Sequence, residues 1–99
     1  MNMKTLFIVG SCTERRTVAD LGAKMASMNQ VVVFLFIREG CQCLGDEDFI
    51  DSIDFAAGRY ALKEYVYDNR ITSIKGVEVT DYDGWVNLLE ECENVVSWT

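Results

Sequence analysis

The sequence predicts an α/β domain built around a mainly parallel sheet of about five strands. Apolar segments of strand type alternate with segments of helical spacing along the whole chain. The first two strands are apolar on both faces, which is typical of central parallel strands covered by helices on each side. With 99 residues, the chain accommodates one domain, residues 1–99.

The first unit is predicted to be strand, helix, strand. Residues 6–9 form an apolar run that closes on Gly10, and residues 31–37 form the second strand. Between them, Ser11 is predicted as the N-cap of a capping box that Glu14 completes. The apolar stripe of this helix comprises Val18, Leu21, Met25 and Met28, and the helix can end at Asn29.

A second helix is predicted after the turn at Gly40. Its first turn is acidic, residues 46–48, which complements the helix dipole, and it is predicted to run to Gly58. A calcium loop is the alternative interpretation of these acids, but the spacing lacks the central glycine and the closing glutamate of such a loop.

The remaining elements are short. Residues 60–62 and 77–80 are predicted strands, residues 64–69 a short helix, and residues 95–98 an edge strand. Asp81 is expected to cap the last helix. The predicted apolar stripe of that helix comprises Tyr82, Trp85, Val86, Leu89 and Cys92.

Composition excludes several classes of protein. The net charge of −7 argues against binding to a nucleic-acid backbone, and the absence of histidine excludes Ser-His, Cys-His and His-metal chemistry within this chain. The longest apolar run, residues 31–37, is too short to cross a membrane, and no signal segment is apparent. Four cysteines in such a chain indicate a reducing, cytoplasmic compartment.

Three cysteines follow the first two strands. Cys12 comes after the first strand, and Cys41 and Cys43 come after the second. They are therefore expected at the carboxyl edge of the sheet, where α/β proteins place their ligand-binding and active sites. A helix N-terminus and Arg15 would favour the thiolate form of Cys12, so Cys12 is expected to be the most reactive. These three are candidate sulfur carriers; the alternative is that they are small residues packed in turns. Cys92 is expected in the core.

Cofactor binding is not expected. A site for a soft metal such as Cu(I) or Zn(II) would need more thiolates than Cys41 and Cys43, and only Cys12 could join them. A flavin phosphate would lie close to the carboxylate of Glu14 in the first turn. We therefore predict neither bound metal nor flavin.

The order and spacing of several motifs resemble the DsrH/TusB family, the small subunits of the DsrEFH and TusBCD sulfur-relay complexes. The motifs are YALKE at 60–64, VEVTDYDGWV at 77–86 and VVSW at 95–98. Residues 11–15, SCTER, are similar to the SPFER turn of the family, with Cys12 where proline is usual. The resemblance runs nearly end to end.

The resemblance implies a flavodoxin-like three-layer α/β/α fold and cytoplasmic transfer of persulfide sulfur. It implies partners of DsrE-like and DsrF-like (TusD/TusC-like) type, or a homo-oligomer, with no direct contact to nucleic acid or membrane. The sulfur would serve 2-thiolation of the tRNA wobble uridine or, alternatively, dissimilatory sulfur oxidation.

This chain departs from the family at two places. Leu21 stands where some members carry a candidate sulfur cysteine, and Cys41 and Cys43 are additions. A non-catalytic interaction domain and a soft-metal chaperone remain the alternative functions.

Overall fold

The computed structural model describes residues 3–68, 71 and 76–98. The strands are β1 Lys4–Val9, β2 Val31–Phe36, β3 Gly58–Leu62, β4 Glu78–Thr80 and β5 Asn94–Trp98. The α-helices are α1 Arg15–Ser27, α2 Glu47–Ser52, α3 Lys63–Asp68 and α4 Tyr82–Glu91. A 3-10 segment, Arg38–Gly45, follows β2. Among the helices described, none has the length and apolar character needed to cross a membrane.

The strands form one five-stranded sheet in the order β4-β3-β2-β1-β5, and every pairing is parallel. This confirms the predicted α/β fold of flavodoxin-like type. β1 lies inside the sheet with β2 on one side and β5 on the other, so the register places Val9 beside both Phe36 and Trp98. The carboxyl ends of three strands therefore meet at one edge, and β5 is an outer strand, as expected.

Helices cover both faces of the sheet. On one face, Phe7, Phe34 and Phe36 pack in a cluster with buried residues of α1, α2 and the 3-10 segment. On the other face, alternate residues of the same strands pack against Leu88 and Cys92 at the end of α4. The alternation is the two-residue period of a strand, and it produces a three-layer domain. Cys92 is buried, as predicted.

The predicted buried stripe of α1 is wrong in two positions. Leu21 is 36% exposed and Met28 is 63% exposed, whereas Val18, Ala19 and Gly22 are buried. The reason is close packing, because a Cβ at Gly22 would lie only 2.9 Å from the ring of Phe34. The helix lies so near the phenylalanine cluster that small side chains face the sheet.

The predicted stripe of α4 is also wrong in part. Trp85 and Cys92 pack toward the sheet, but Tyr82, Val86 and Leu89 are 47%, 51% and 42% exposed. Spacing at helical intervals identified a wide apolar surface. The sheet contacts only one side of that surface, and the other side faces outward.

The predicted cap at Asp81 is confirmed, and Asp46, which the sequence placed within the acidic first turn of the second helix, is the cap of that helix. The side chain of Asp46 accepts a hydrogen bond from the backbone N–H of Phe49 at 3.2 Å, and Asp81 accepts one from Gly84 at 2.9 Å. The predicted extent of the second helix is wrong, since α2 ends at Ser52 and the chain turns before β3 begins at Gly58. The predicted end of the third helix, residue 69, lies outside the described residues.

Candidate functional site

The segments that follow β1 and β2 lie side by side at the carboxyl edge of the sheet. The N–H of Ile37 donates to the carbonyl of Val9 at 2.9 Å, which extends the β1–β2 pairing to the end of both strands. On the other side, the N–H of Gly10 donates to the carbonyl of Trp98 at 2.8 Å. The chain leaving β1 is therefore held between β2 and β5 just before it reaches Cys12.

Gly40 lets the 3-10 segment approach the end of β1. A Cβ at Gly40 would clash with the carbonyl oxygen of Val9 and would lie 2.7 Å from its carbonyl carbon. Only a residue without a side chain fits this backbone-to-backbone contact. Arg38, at the start of the segment, has a φ of 49°, in the left-handed region that L-residues seldom adopt. The sharp turn and the contact at Gly40 together direct the segment back over β1.

This approach brings Cys12 and Cys43 together. Their Sγ atoms are 2.7 Å apart, and the Cys43 thiol donates toward the Cys12 sulfur. Cys12 is partly exposed, whereas Cys43 is 0% exposed. Burial, followed by the hydrogen bond to Cys12, raises the pKa of the Cys43 thiol well above its ordinary range. The pair thus consists of one accessible sulfur and one buried, protonated sulfur.

A guanidinium group completes the surroundings of Cys12. The Nη1 of Arg15 lies 3.2 Å from the carbonyl oxygen of Cys12 and 3.6 Å from its Sγ. The contact with Cys12 is the main cause that raises the pKa of Arg15. The Nε of Arg15 donates to the Oδ2 of Asp46 at 2.9 Å, which orients the guanidinium.

Asp46 is held in its ionised form. Its hydrogen bond from the backbone of Phe49, followed by that from Arg15, holds its pKa below the ordinary value. Asp46 therefore caps α2 and anchors Arg15 at once. The sequence placed Asp46 in the first turn of a helix but did not reveal its link to Arg15, because the two residues are 31 positions apart.

Cys12 borders two open clefts. Arg15, Gln42, Asp46 and Asp48 line the cleft on one side, and Ser11, Thr13 and Glu39 contribute to the cleft on the other. A molecule that carries sulfur could reach Cys12 from either cleft without entering the core. This access singles out Cys12 among the predicted carriers.

Cys41 lies outside the pair, although sequence reasoning grouped it with Cys43. It is 0% exposed, and its Sγ lies 3.5 Å from the carbonyl oxygen of Phe36, to which it donates. Burial raises the pKa of the Cys41 thiol to about 12. These features favour a packing role for Cys41. Burial also raises the pKa of Cys92 in the core.

The predicted capping box at Ser11 is wrong. The helix begins at Arg15 with Glu14 at its N-cap position, and Cys12 lies in the turn before it. The Ser11 hydroxyl contacts Thr13 instead, with the two hydroxyl oxygens 3.0 Å apart and the Thr13 N–H donating at 3.4 Å. A local side-chain turn has replaced the helical cap. The cation near Cys12 is therefore the Arg15 side chain, as predicted, without a surrounding helical turn.

A site for a soft metal would draw its ligands from the same part of the chain. Within residues 3–68, 71 and 76–98, no three Cys, Asp, Glu or His side chains are grouped so that they could hold a metal ion. The arrangement at Cys12 is instead suited to thiol chemistry, because it combines an accessible sulfur, a thiol donor and a cation.

The fold and the site define a parallel α/β domain with a thiol pair at the carboxyl edge of its sheet. No protein-family model matches the chain, and no curated protein matches it significantly. Among solved structures, it is similar to the ychN protein from E. coli, with a TM-score of 0.75 and 12% identity over 99% of this chain and 100% of that one. At this identity the likeness establishes the fold.

Proposed function

We propose that the chain is a sulfur-relay subunit in which Cys12 carries sulfur as a persulfide. The observation that carries this proposal is the surroundings of the Cys12 Sγ, which is accessible and receives hydrogen bonds from the Cys43 thiol and from Arg15. Both donors stabilise an anionic sulfur, the form that attacks a persulfide. The resemblance to the DsrH/TusB family supports the same chemistry.

The transfer uses one thiolate and one S–S bond. The Cys12 thiolate attacks the outer sulfur of a donor persulfide, R–S–SH, and the donor S–S bond breaks. The donor leaves as R–S⁻, and Cys12 becomes Cys12–S–SH. An acceptor thiolate then attacks the outer sulfur, which returns Cys12 to its starting form. No net oxidation or reduction takes place.

The resemblance favours 2-thiolation of the tRNA wobble uridine as the destination of the sulfur, with dissimilatory sulfur oxidation as the alternative branch. The net charge of −7 supports an arrangement in which another subunit holds the RNA. This chain would then exchange sulfur with protein thiols alone.

Replacing Cys12 with serine is expected to abolish loading. Offered one equivalent of a persulfide donor, the wild-type protein should gain the mass of one sulfur atom on the peptide that contains Cys12, because this sulfur is accessible and lies beside two hydrogen-bond donors. Intact mass and peptide mapping under non-reducing conditions measure the gain. Cys92→Ser is the matched control and should load like the wild type. Equal loading of Cys12→Ser and the wild type would contradict the proposal.

A scaffold role is the second candidate, and the outer surface of α4 favours it. Tyr82, Val86 and Leu89 are spaced along one exposed side of this helix, and Val95 is exposed on the neighbouring outer strand. Apolar side chains grouped in this way are typical of protein interfaces. We propose that a DsrE-like or DsrF-like sister subunit covers this surface, as in the family that the chain resembles.

Val86→Asp is expected to weaken that association at least about tenfold, because an unpaired charge would be buried at the contact. Sedimentation equilibrium with the co-purified partners measures the affinity. Met28→Asp, which alters an exposed apolar residue on α1, should leave the affinity unchanged. Two results would refute this assignment. One is a protein that stays monomeric at high concentration and recovers no sister subunit. The other is a second copy of this chain bound at the surface in place of a sister subunit.

A further inference from the structure

The persulfide chemistry of Cys12 uses the second sulfur, that of Cys43, only as a hydrogen-bond donor. The Sγ of Cys43 is 2.7 Å from the Sγ of Cys12 and lies on the interior side of it. Relay from Cys12 to an acceptor requires no covalent participation by this neighbour. A thiol this close to a carrier sulfur can instead react with it.

We propose that Cys43 is a resolving thiol, which discharges a persulfide on Cys12 as hydrosulfide and leaves a Cys12–Cys43 disulfide. The inference rests on the persulfide proposed for Cys12. It adds a second outcome for the bound sulfur: transfer to an acceptor when one is present, or release as sulfide when none is.

The step balances without any further oxidant. Cys12–S–S⁻ and the Cys43 thiol give Cys12–S–S–Cys43 and HS⁻. The Cys43 sulfur forms a bond to the inner sulfur, the bond between the inner and outer sulfurs breaks, and the Cys43 proton goes to the departing sulfur. The outer sulfur is reduced to sulfide while the two cysteines are oxidised to a disulfide.

The geometry selects the inner sulfur as the target. In the persulfide, the inner sulfur is the Cys12 Sγ itself, which the Cys43 Sγ already contacts. The outer sulfur would extend from Cys12, whose accessible side borders the clefts lined by Arg15 and Gln42. There an external acceptor can attack it. The two outcomes therefore use different sulfur atoms and different sides of Cys12.

Protonation of Cys43 makes the release slow relative to relay. Burial raises the pKa of this thiol, so only a small fraction is the nucleophilic thiolate near neutral pH. Because the Cys43 proton passes to the departing sulfur, the step loses no net proton, and its rate should change little with pH while the persulfide is ionised and the Cys43 thiol is protonated. A dithiol reductant is the class of molecule that would restore the free pair, through exchange at the partly exposed Cys12.

The test follows loaded protein in the absence of acceptor and reductant under anaerobic conditions. The wild type should release one sulfide per chain and yield a cross-linked pair of peptides containing Cys12 and Cys43. Cys43→Ala should keep its persulfide, with sulfide release at least about tenfold slower and no cross-link. Cys41→Ala is the matched control, and it should behave like the wild type.

The outcomes separate the two proposals. If Cys43→Ala and the wild type lose sulfide at the same rate, the resolving role is refuted while the carrier role stands. If no variant gains sulfur and no sulfide appears, both fail. Should Cys43→Ala not fold, the cross-linked peptides and released sulfide of the wild type decide the question, since their absence from loaded protein overturns the inference.

Discussion

Gly40→Ala is expected to lower the free energy of unfolding by about 3 kcal/mol or more and to separate the sulfur atoms of Cys12 and Cys43. The added methyl group would clash with the carbonyl group of Val9, which belongs to the backbone of β1, an interior strand of the sheet. Neither backbone can yield without breaking hydrogen bonds at the end of β1. The 3-10 segment must then move outward and take Cys43 with it.

Gly45→Ala is the matched control for this prediction. Gly45 ends the same segment, and a Cβ there would meet no atom within 4 Å. Urea unfolding compares the stabilities, and the rate of Cys12–Cys43 cross-linking by a mild thiol oxidant reports the separation of the sulfurs. Gly40→Ala should cross-link more slowly than Gly45→Ala. Equal stability and equal cross-linking would show that the contact at Gly40 does not position the pair.

Alkaline pH is expected to destabilise the fold through its buried thiols. The ordinary pKa of a cysteine is 9.0, and burial raises that of Cys41 to about 12. Between these values the unfolded chain loses the Cys41 proton while the folded chain keeps it. The stability is therefore fully present below about pH 9 and falls as the pH rises toward about 12. The slope for one such thiol is at most about 1.4 kcal/mol per pH unit.

Cys41→Ala should flatten this dependence. Urea unfolding under reducing conditions at about pH 8 and about pH 10.5 measures how much the free energy of unfolding falls between these pH values, for the wild type and for the variant. Val66→Ala is the control, because it removes buried apolar volume without removing a titrating group. It should lower stability by a similar amount at both pH values. The prediction would be contradicted if the Cys41→Ala protein lost as much stability as the wild type between about pH 8 and about pH 10.5.

Local patterns in the sequence were sufficient for the strands and for the cap of the last helix. The apolar runs at 6–9 and 31–37 lie within β1 and β2 almost to the residue, because a strand that is buried on both faces must be apolar throughout. The cap at Asp81 was predictable because its hydrogen bond joins residues three positions apart. Each of these features depends on residues that are neighbours along the chain.

Faces of helices were harder to predict. Helical spacing shows which residues share a side, but it does not show how closely the neighbouring layer approaches. Leu21 is exposed because α1 packs on the phenylalanine cluster through Gly22, and Val86 is exposed because the sheet contacts only one side of α4. In both helices the width of the contact, set by a partner far away in sequence, decided which apolar residues were buried.

The candidate site also has features that the sequence determines and features that only the tertiary structure decides. From the sequence alone, Cys12, Cys41 and Cys43 follow the first two strands, so parallel pairing had to place all three at one edge of the sheet. Only the tertiary structure decided that Cys43 contacts Cys12, while Cys41 bonds to the backbone of Phe36. The physical reason is that Gly40 allows one backbone to lie against another, and this contact sets the direction of the segment that carries both thiols.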